Sequence, residues 1–338
     1  MPILARILRD RGIITERQLE EAIQHQVLYG GRLGTSLYEL GFLTEERLHE
    51  ALAKAHGVAT LKVDRSEINA DTLSLVSKEM AARDKVFPYR VKGKTLFLLM
   101  VDPSDHATVA RIGFSRGYII KPLVISEVRM IQLLRDYYDV DDRWRFTDTH
   151  GASRRLPASI SAEVASERIE AAETRDDVVE TVLAACHSRF RRVIFFIVRE
   201  PKVLGWSGRG EGVDPELAAG IEIPLDEPSV FQTVTRDRTV FIGRFGPEPA
   251  NERFMKLIAK RPNTNAALFP ISVRGRVVNL VYCDAGASGN VKADIGELMI
   301  FIQRIPEAYV RIIRRRIAET RELAAQLAEE SAEGSREN

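Results

Sequence analysis

The chain has only two cysteines, Cys186 and Cys283, among 338 residues. That is too few for a disulfide framework or a thiolate metal cluster. No run approaches the ~20 apolar residues that a membrane span needs. Met1 to Leu8 lead at once into Arg9-Asp10-Arg11, so the reading expects no signal peptide. Neither sign of charge dominates. Lys and Arg number 49 and Asp and Glu 48, which gives no electrostatic case for a nucleic-acid or membrane partner. A phosphate loop is missing too. Gly93-Lys94-Thr95 has no partner glycine upstream at the required spacing, and it sits between strand candidates rather than before a helix. No catalytic triad is evident. His49 and His56 share one helix face without a third ligand. Cys186 lies on an apolar stripe with Val179, Val182 and Leu183, which reads as core. Cys283 follows a strand run beside Asp284 with no activating base in view. These absences argue against an enzyme and against any bound metal or cofactor.

What is present is an internal repeat. Leu4, Leu8, Gly12, Ile14, Leu19, Ile23 and Gln26 recur 29 residues later as Leu33, Leu37, Gly41, Leu43, Leu48, Leu52 and Ala55. Each copy reads as a short helix, a glycine break and a second helix. Gly12 and Gly41 stand where a left-handed residue ends a helix. Thr15 and Gln18 make a capping-box pattern, and Thr44 is the matching cap in the second copy. A tandem helix pair cannot bury its apolar faces alone, so the copies should pack on each other as a four-helix subdomain over 1–57.

From residue 58 the period changes. Leu61-Lys62-Val63 reads as a short strand and 70–82 as a helix. Strands follow at 86–90 and 95–101, joined by a turn at Lys92-Gly93-Lys94. A helix over 106–114, a strand over 119–125 and a helix over 126–138 complete an α/β subdomain, 58–140. Residues 141–160 have weak periodicity and read as a linker. Residues 161–190 are helical with a new cap near Thr174. Arg192 to Arg199 is a strongly apolar strand, and further strands are expected at 202–206, 219–224, 239–243, 266–273 and 276–284. Helices are expected at 227–236 and 250–260. A long closing helix runs from 293 to about 330 with a kink at Pro306 and a disordered tail from 331. The fold class is therefore α+β.

Residues 3–140 resemble the MshEN domain, the N-terminal domain of type II secretion and type IV pilus assembly ATPases. The resemblance rests on Arg32-Leu33-Gly34 and the spaced apolar residues after it, and on the spacer Val27-Leu28-Tyr29-Gly30-Gly31 between the copies. Further matches are Ser77-Lys78-Glu79-Met80-Ala81, Val86-Phe87-Pro88-Tyr89, Leu96 to Met100 and Asp102-Pro103-Ser104-Asp105. The resemblance implies a site for cyclic di-GMP across the two motifs: Arg32, Leu33, Gly34, Leu37, Gly41, Leu48 and Leu52 from one copy, and Leu4, Leu8, Gly12, Leu19, Ile23 and Gln26 from the other. An arginine fork suits the O6 and N7 edge of guanine, and leucines would cover the base faces. Two departures weaken the motif. Ile3-Leu4-Ala5 replaces Arg-Leu-Gly in the first copy, and Ala55 replaces Gln in the second. The same leucines also read as core, with Arg32 a solvated helix-start residue.

Residues 161–318 resemble a GAF domain, a sensory fold with an antiparallel sheet flanked by helices. The match is carried by Arg192 to Arg199, Gly205-Trp206-Ser207-Gly208, and the hairpin from Phe269-Pro270-Ile271 through Arg274-Gly275 to Tyr282-Cys283-Asp284. Arg209, Arg238, Arg244 and Asn251 are candidates to line a pocket, or scattered surface charge. In the closing helix Ile305, Tyr309, Ile312, Ile313 and Ile317 form a stripe opposite Arg311, Arg314, Arg315 and Arg316. Such a stripe packs on its own sheet or makes a homodimer. Residues 319–338 are then a helical extension and tail.

Together these readings imply a cytoplasmic, non-catalytic regulatory or adaptor protein of bacterial secretion, pilus or motility systems, responding weakly to cyclic di-GMP. The alternative is a purely protein-binding scaffold with vestigial ligand pockets.

Overall fold

The computed structural model describes residues 2–140, 159–259, 264–286 and 295–334. The chain divides into two compact units. One takes Met1–Gln26, Gly30–Asp148 and Arg316–Asn338, and the other takes Val27–Tyr29 and Thr149–Arg315.

The first unit opens with the repeat: α1 (Pro2–Asp10), α2 (Glu16–Tyr29), α3 (Leu33–Glu39) and α4 (Glu45–His56). Gly12 and Gly41 take φ of +62° and +73°, the left-handed region where a side chain would strain the turn. Thr15 and Gln18 close the expected capping box before α2. Before α4 the Thr44 hydroxyl accepts from the Arg47 amide, and Arg47 returns nothing. Leu8, Leu19, Ile23, Leu37 and Leu48 meet in one buried cluster, so each copy covers the other's apolar face.

The α/β part follows as α5 (Ala70–Leu73), α6 (Lys78–Asp84), β1 (Val86–Lys92), β2 (Thr95–Met100), α7 (His106–Arg116), β3 (Ile119–Val124) and α8 (Glu127–Tyr138). β1 and β2 are an antiparallel hairpin turning at Gly93, where φ is +60°. β3 lies parallel to β2, which requires the crossover through α7. Two expectations fail here. Leu61-Lys62-Val63 forms no strand: it lies outside the three-stranded sheet β1-β2-β3. Leu61 and Val63 pack separately against the core, and the regular backbone begins only at a 3₁₀ turn, Arg65–Glu67. The single helix expected over 70–82 is broken in two, because the Ser77 hydroxyl accepts from the Met80 amide and starts a new helix.

The second unit contains α9 (Ala162–Ala171), α10 (Arg175–His187), β4 (Arg192–Arg199), β5 (Lys202–Gly210), α11 (Pro215–Ala219), β6 (Glu222–Pro224), α12 (Val230–Asp237), β7 (Phe241–Gly243), α13 (Pro249–Leu257), β8 (Ala266–Val273), β9 (Arg276–Asp284) and the first part of α14 (Gly296–Gly334). Its sheet runs β6-β5-β4-β9-β8-β7, with every described pairing antiparallel. This is the helix-flanked antiparallel sheet expected of a GAF-like unit. β4 is central and buried from Arg192 to Val198, which accounts for its unbroken apolar run. Phe196, Phe231, Phe245, Phe254 and Tyr282 pack largely edge to face at 4.9–6.0 Å. α11 was not expected. Its signal is Asp214 capping the Leu217 amide, followed by Pro215 in the first turn. Gly205 permits its close approach, since a Cβ there would stand 1.8 Å from the Ala218 carbonyl oxygen.

Pro306 lies inside α14 without ending it, and the helix continues past the expected stop to Gly334. Ile305, Tyr309, Ile312 and Ile313 are buried. Arg311 donates to the Ile169 carbonyl, and Arg304 and Arg315 pair with Glu170 and Glu173, so α14 is fastened to α9. These four residues of the apolar stripe are thus covered within one chain, and Ile317 is half-buried. The linker expected at 141–160 lies almost wholly outside the described residues. No helix among the described residues is long and apolar enough to cross a membrane.

Candidate functional site

Arg32 precedes α3 and is its N-cap, with no side-chain cap of its own. Its backbone amide donates instead to Glu127 Oε2 at 2.9 Å. The Thr35 hydroxyl donates to the same oxygen at 2.8 Å, and Lys85 Nζ lies 3.5 Å from Glu127 Oε1. Glu127 is only 3% exposed. It is also the first residue of α8, so one carboxylate serves the electropositive starts of two helices. The electropositive start of α3 is held by an internal anion.

The Arg32 guanidinium is held as well. Its Nη2 lies 3.2 Å from Asp102 Oδ2, and the Ser104 hydroxyl donates to Asp102 Oδ1. Burial works to raise the Asp102 pKa, but the Ser104 hydroxyl and the Arg32 charge outweigh it and bring it down to about 2. Asp102 is therefore ionised at neutral pH and holds the Arg32 guanidinium. At the spacer, Gln26 Nε2 donates to the Gly31 carbonyl at 3.0 Å. Arg129 clamps Glu45 with two hydrogen bonds, Nε to Oε1 at 2.8 Å and Nη2 to Oε2 at 2.5 Å, which ties α8 to the start of α4.

The expected ligand residues separate into two sets. Leu4, Leu8, Leu19, Ile23, Leu33, Leu37 and Leu48 are all at most 4% exposed and form the repeat core, with Leu52 packed against it. Gly12 and Gly41 serve helix ends. Arg32, Gln26 and the backbone around Gly31 and Gly34 remain at the junction of α2 and α3. Gly34 has a packing role as well: a Cβ there would stand 2.7 Å from Leu48 Cδ1 and 3.5 Å from Leu4 Cδ2. Gly34→Ala is expected to cost about 1–2 kcal/mol of stability in the first unit, since Leu48 has to shift inside a filled core. A urea midpoint equal to that of the parent would show that the helices have slack there.

Sequence reasoning missed Glu127, Asp102 as a partner for Arg32, Thr35 and Lys85. Ser126-Glu127 was legible as a helix start, but nothing local shows that its carboxylate reaches a residue 95 positions earlier. A cavity of about 580 Å³ opens elsewhere in this unit, between Ser66, Asn69, Arg90 and Tyr118, and none of the expected ligand residues lines it.

Two histidines of α4 give this region a pH dependence. Burial lowers the pKa of His56, Asp102 opposes that shift and Arg32 adds to it. Burial lowers His49 as well, against the nearby Glu45. Both folded values lie below the ordinary 6.5, so the unfolded chain binds protons first as pH falls. The contribution is full above pH 6.5 and is lost as pH drops through the folded values. The urea midpoint of the first unit should fall between pH 7.5 and 5.5, and His49→Gln with His56→Gln should flatten that slope. An unchanged slope in the double variant would assign the effect elsewhere.

In the second unit the four pocket candidates take separate posts. Arg209 pairs with Glu180 at 3.0 Å. Asn251 is fully buried, accepting from the Val230 amide and donating to Glu248 and the Gly246 carbonyl. Arg238 is the left-handed residue after α12, and Arg244 is exposed. Phenyl rings fill the space beneath this face of the sheet.

In comparison with known proteins, residues 56–144 match the family model of the MshEN domain. The type IV pilus assembly ATPase PilB of Myxococcus xanthus is 33% identical over 135 residues, 40% of this chain and 24% of that protein. The chain thus spans about a quarter of that relative's length. The structure of MshE with cdg is 29% identical and covers 40% of this chain and 98% of that one, with a TM-score of 0.33. The GAF domain of a phosphoenolpyruvate-protein phosphotransferase from Coxiella burnetii is 13% identical over 52% of this chain and 94% of its own, with a TM-score of 0.34.

Proposed function

We propose that this chain is a non-catalytic regulatory or adaptor protein of bacterial secretion, pilus or motility systems, acting in the cytoplasm, with a cyclic di-GMP site reduced to a weak one. The pilus-ATPase kinship of the MshEN segment supports the setting. The observation that carries the reduced site is the pairing of Arg32 with Asp102, beside a helix start capped by Glu127. A ligand has to displace Asp102 from Arg32, the arginine of the Arg-Leu-Gly motif. It also lacks the second arginine, replaced by Ile3, and the second glutamine, replaced by Ala55. Losing one bidentate contact to a base costs about 1–3 kcal/mol, roughly tenfold or more in affinity. The residues proposed to meet the ligand are Arg32, Gln26 and the backbone at Gly31 and Gly34. The leucines support the site from beneath as core.

The burial of those leucines favours a second reading, in which the helical repeat only docks on a protein of the secretion or pilus machinery and its nucleotide site is vestigial. Calorimetric titration of the full chain with cyclic di-GMP separates the two. The first reading expects a dissociation constant no tighter than about 1 µM, abolished by Arg32→Ala. No heat at any accessible concentration supports the second. Tight binding that survives Arg32→Ala removes both.

A further inference from the structure

A groove of about 750 Å³ runs in the second unit between the tip of the β8–β9 hairpin and α14. Its floor is Val273, Pro306 and Val310. Its rim carries Arg274 from the hairpin, and Arg311, Arg314 and Arg315 from the helix, with Glu307 in the lining and Glu173 paired to Arg315. Arg238 adds to this side, its guanidinium 3.8 Å from where a Cβ on Gly275 would stand. Glu173 offsets the charge of Arg315, whereas Arg311 is held by a neutral acceptor, the Ile169 carbonyl, and Arg314 is exposed, so the uncompensated charge sits on Arg311 and Arg314. The whole chain is near neutral, so this concentration of one sign is local rather than a property of the composition.

We propose that this groove docks an acidic amphipathic helix of a partner protein, its apolar side chains seated on Val273, Pro306 and Val310 and its carboxylates on the arginine rim. Charge complementarity selects that occupant. Arginine forks bind carboxylates bidentately, and an apolar helix face laid in a groove is an established mode of recognition. A second copy of this chain is disfavoured, since twofold pairing would set four arginines against four. Single-stranded nucleic acid is disfavoured because no aromatic ring lines the groove to stack a base. The inference goes beyond the nucleotide reading, and it stands whether or not the first unit binds cyclic di-GMP.

The test uses the full chain and three fluorescent probes. One is a helical peptide with leucines at i, i+4 and i+7 flanked by glutamates. The second is the same peptide with lysines for the glutamates. The third is a single-stranded oligonucleotide, and vesicles rich in phosphatidylserine are added as a sedimentation arm. The glutamate peptide should bind, weaken with salt, and lose tenfold or more in affinity with Arg314→Glu. Arg314 is exposed and ion-pairs with no described residue, so this variant should keep its melting temperature. Val310→Asp should weaken the same peptide through the floor. The lysine peptide should not bind. Equal binding of both peptides, binding indifferent to Arg314→Glu, or Arg314-dependent capture of only the oligonucleotide or the vesicles would overturn the proposal.

Discussion

Asp284→Ala should destabilise the second unit by about 3–5 kcal/mol, the largest effect of any single change foreseen for this chain. Asp284 and Arg192 are 1% and 2% exposed and are joined by three nitrogen–oxygen contacts of 2.8–3.1 Å. The carboxylate also accepts from the Tyr282 hydroxyl and from the Gly286 amide, and Arg192 donates onward to the Ile258 carbonyl. One ion pair therefore locks β4 to β9 and both to the residue just past α13. Deleting the carboxylate leaves a guanidinium buried with no counter-charge, and the full desolvation cost of that charge falls on the native state. The phenol of Tyr282, whose titration burial and the Asp284 charge push well upward, loses its acceptor too. The control is double replacement, Arg192→Met with Asp284→Leu, which removes both charges and should recover most of the loss. Urea unfolding of the three proteins decides it. If the single variant loses less than 1 kcal/mol, the pair is solvated and its burial is misjudged.

The second large effect belongs to Glu127. Glu127→Ala removes the acceptor for the Arg32 amide and the Thr35 hydroxyl, and the counter-charge for Lys85. A buried donor and a part-buried one without partners cost about 1–3 kcal/mol each, less what water regains beside the partly exposed Lys85. A net loss of about 3 kcal/mol is expected, confined to the first unit. Glu127→Gln keeps one oxygen acceptor and should lose roughly half as much. Amide exchange at residues 32–36 should quicken in the alanine variant well before the core of α8 responds. Uniform quickening across both units would instead indicate general unfolding and deny Glu127 its local role.

Much of this architecture is written in short-range signals. The capping box at Thr15 and Gln18, the cap at Thr44, the glycine turns at 12 and 41 and the hairpins at Gly93 and Gly275 each involve residues only a few positions apart. Their chemistry is the same in the sequence as in the fold. The repeat was legible because its apolar spacing recurs. The errors fall where a local pattern is true but insufficient. Leu61 and Val63 alternate like a strand and find no ladder. Ser77 interrupts a pattern that periodicity carries straight through. α11 is announced only by Asp214 and Pro215. The candidate site was half legible. Arg32, Gly34 and Gln26 were named from their motif, but whether an arginine faces a ligand or an internal carboxylate depends on Asp102, 70 residues away. The same holds for the leucines, since a row at helical spacing reads equally as ligand cover or as core.

The Arg32–Asp102 pair makes one measurement more direct than any other. If Asp102 competes with the ligand for Arg32, then Asp102→Asn frees the guanidinium, and calorimetric titration of the variant with cyclic di-GMP should show binding at least several-fold tighter than the parent under the same buffer. If Asp102 contacts the ligand itself, or if Arg32 plays no part, affinity in Asp102→Asn will fall or stay unchanged, and the account of an internally occupied site is contradicted.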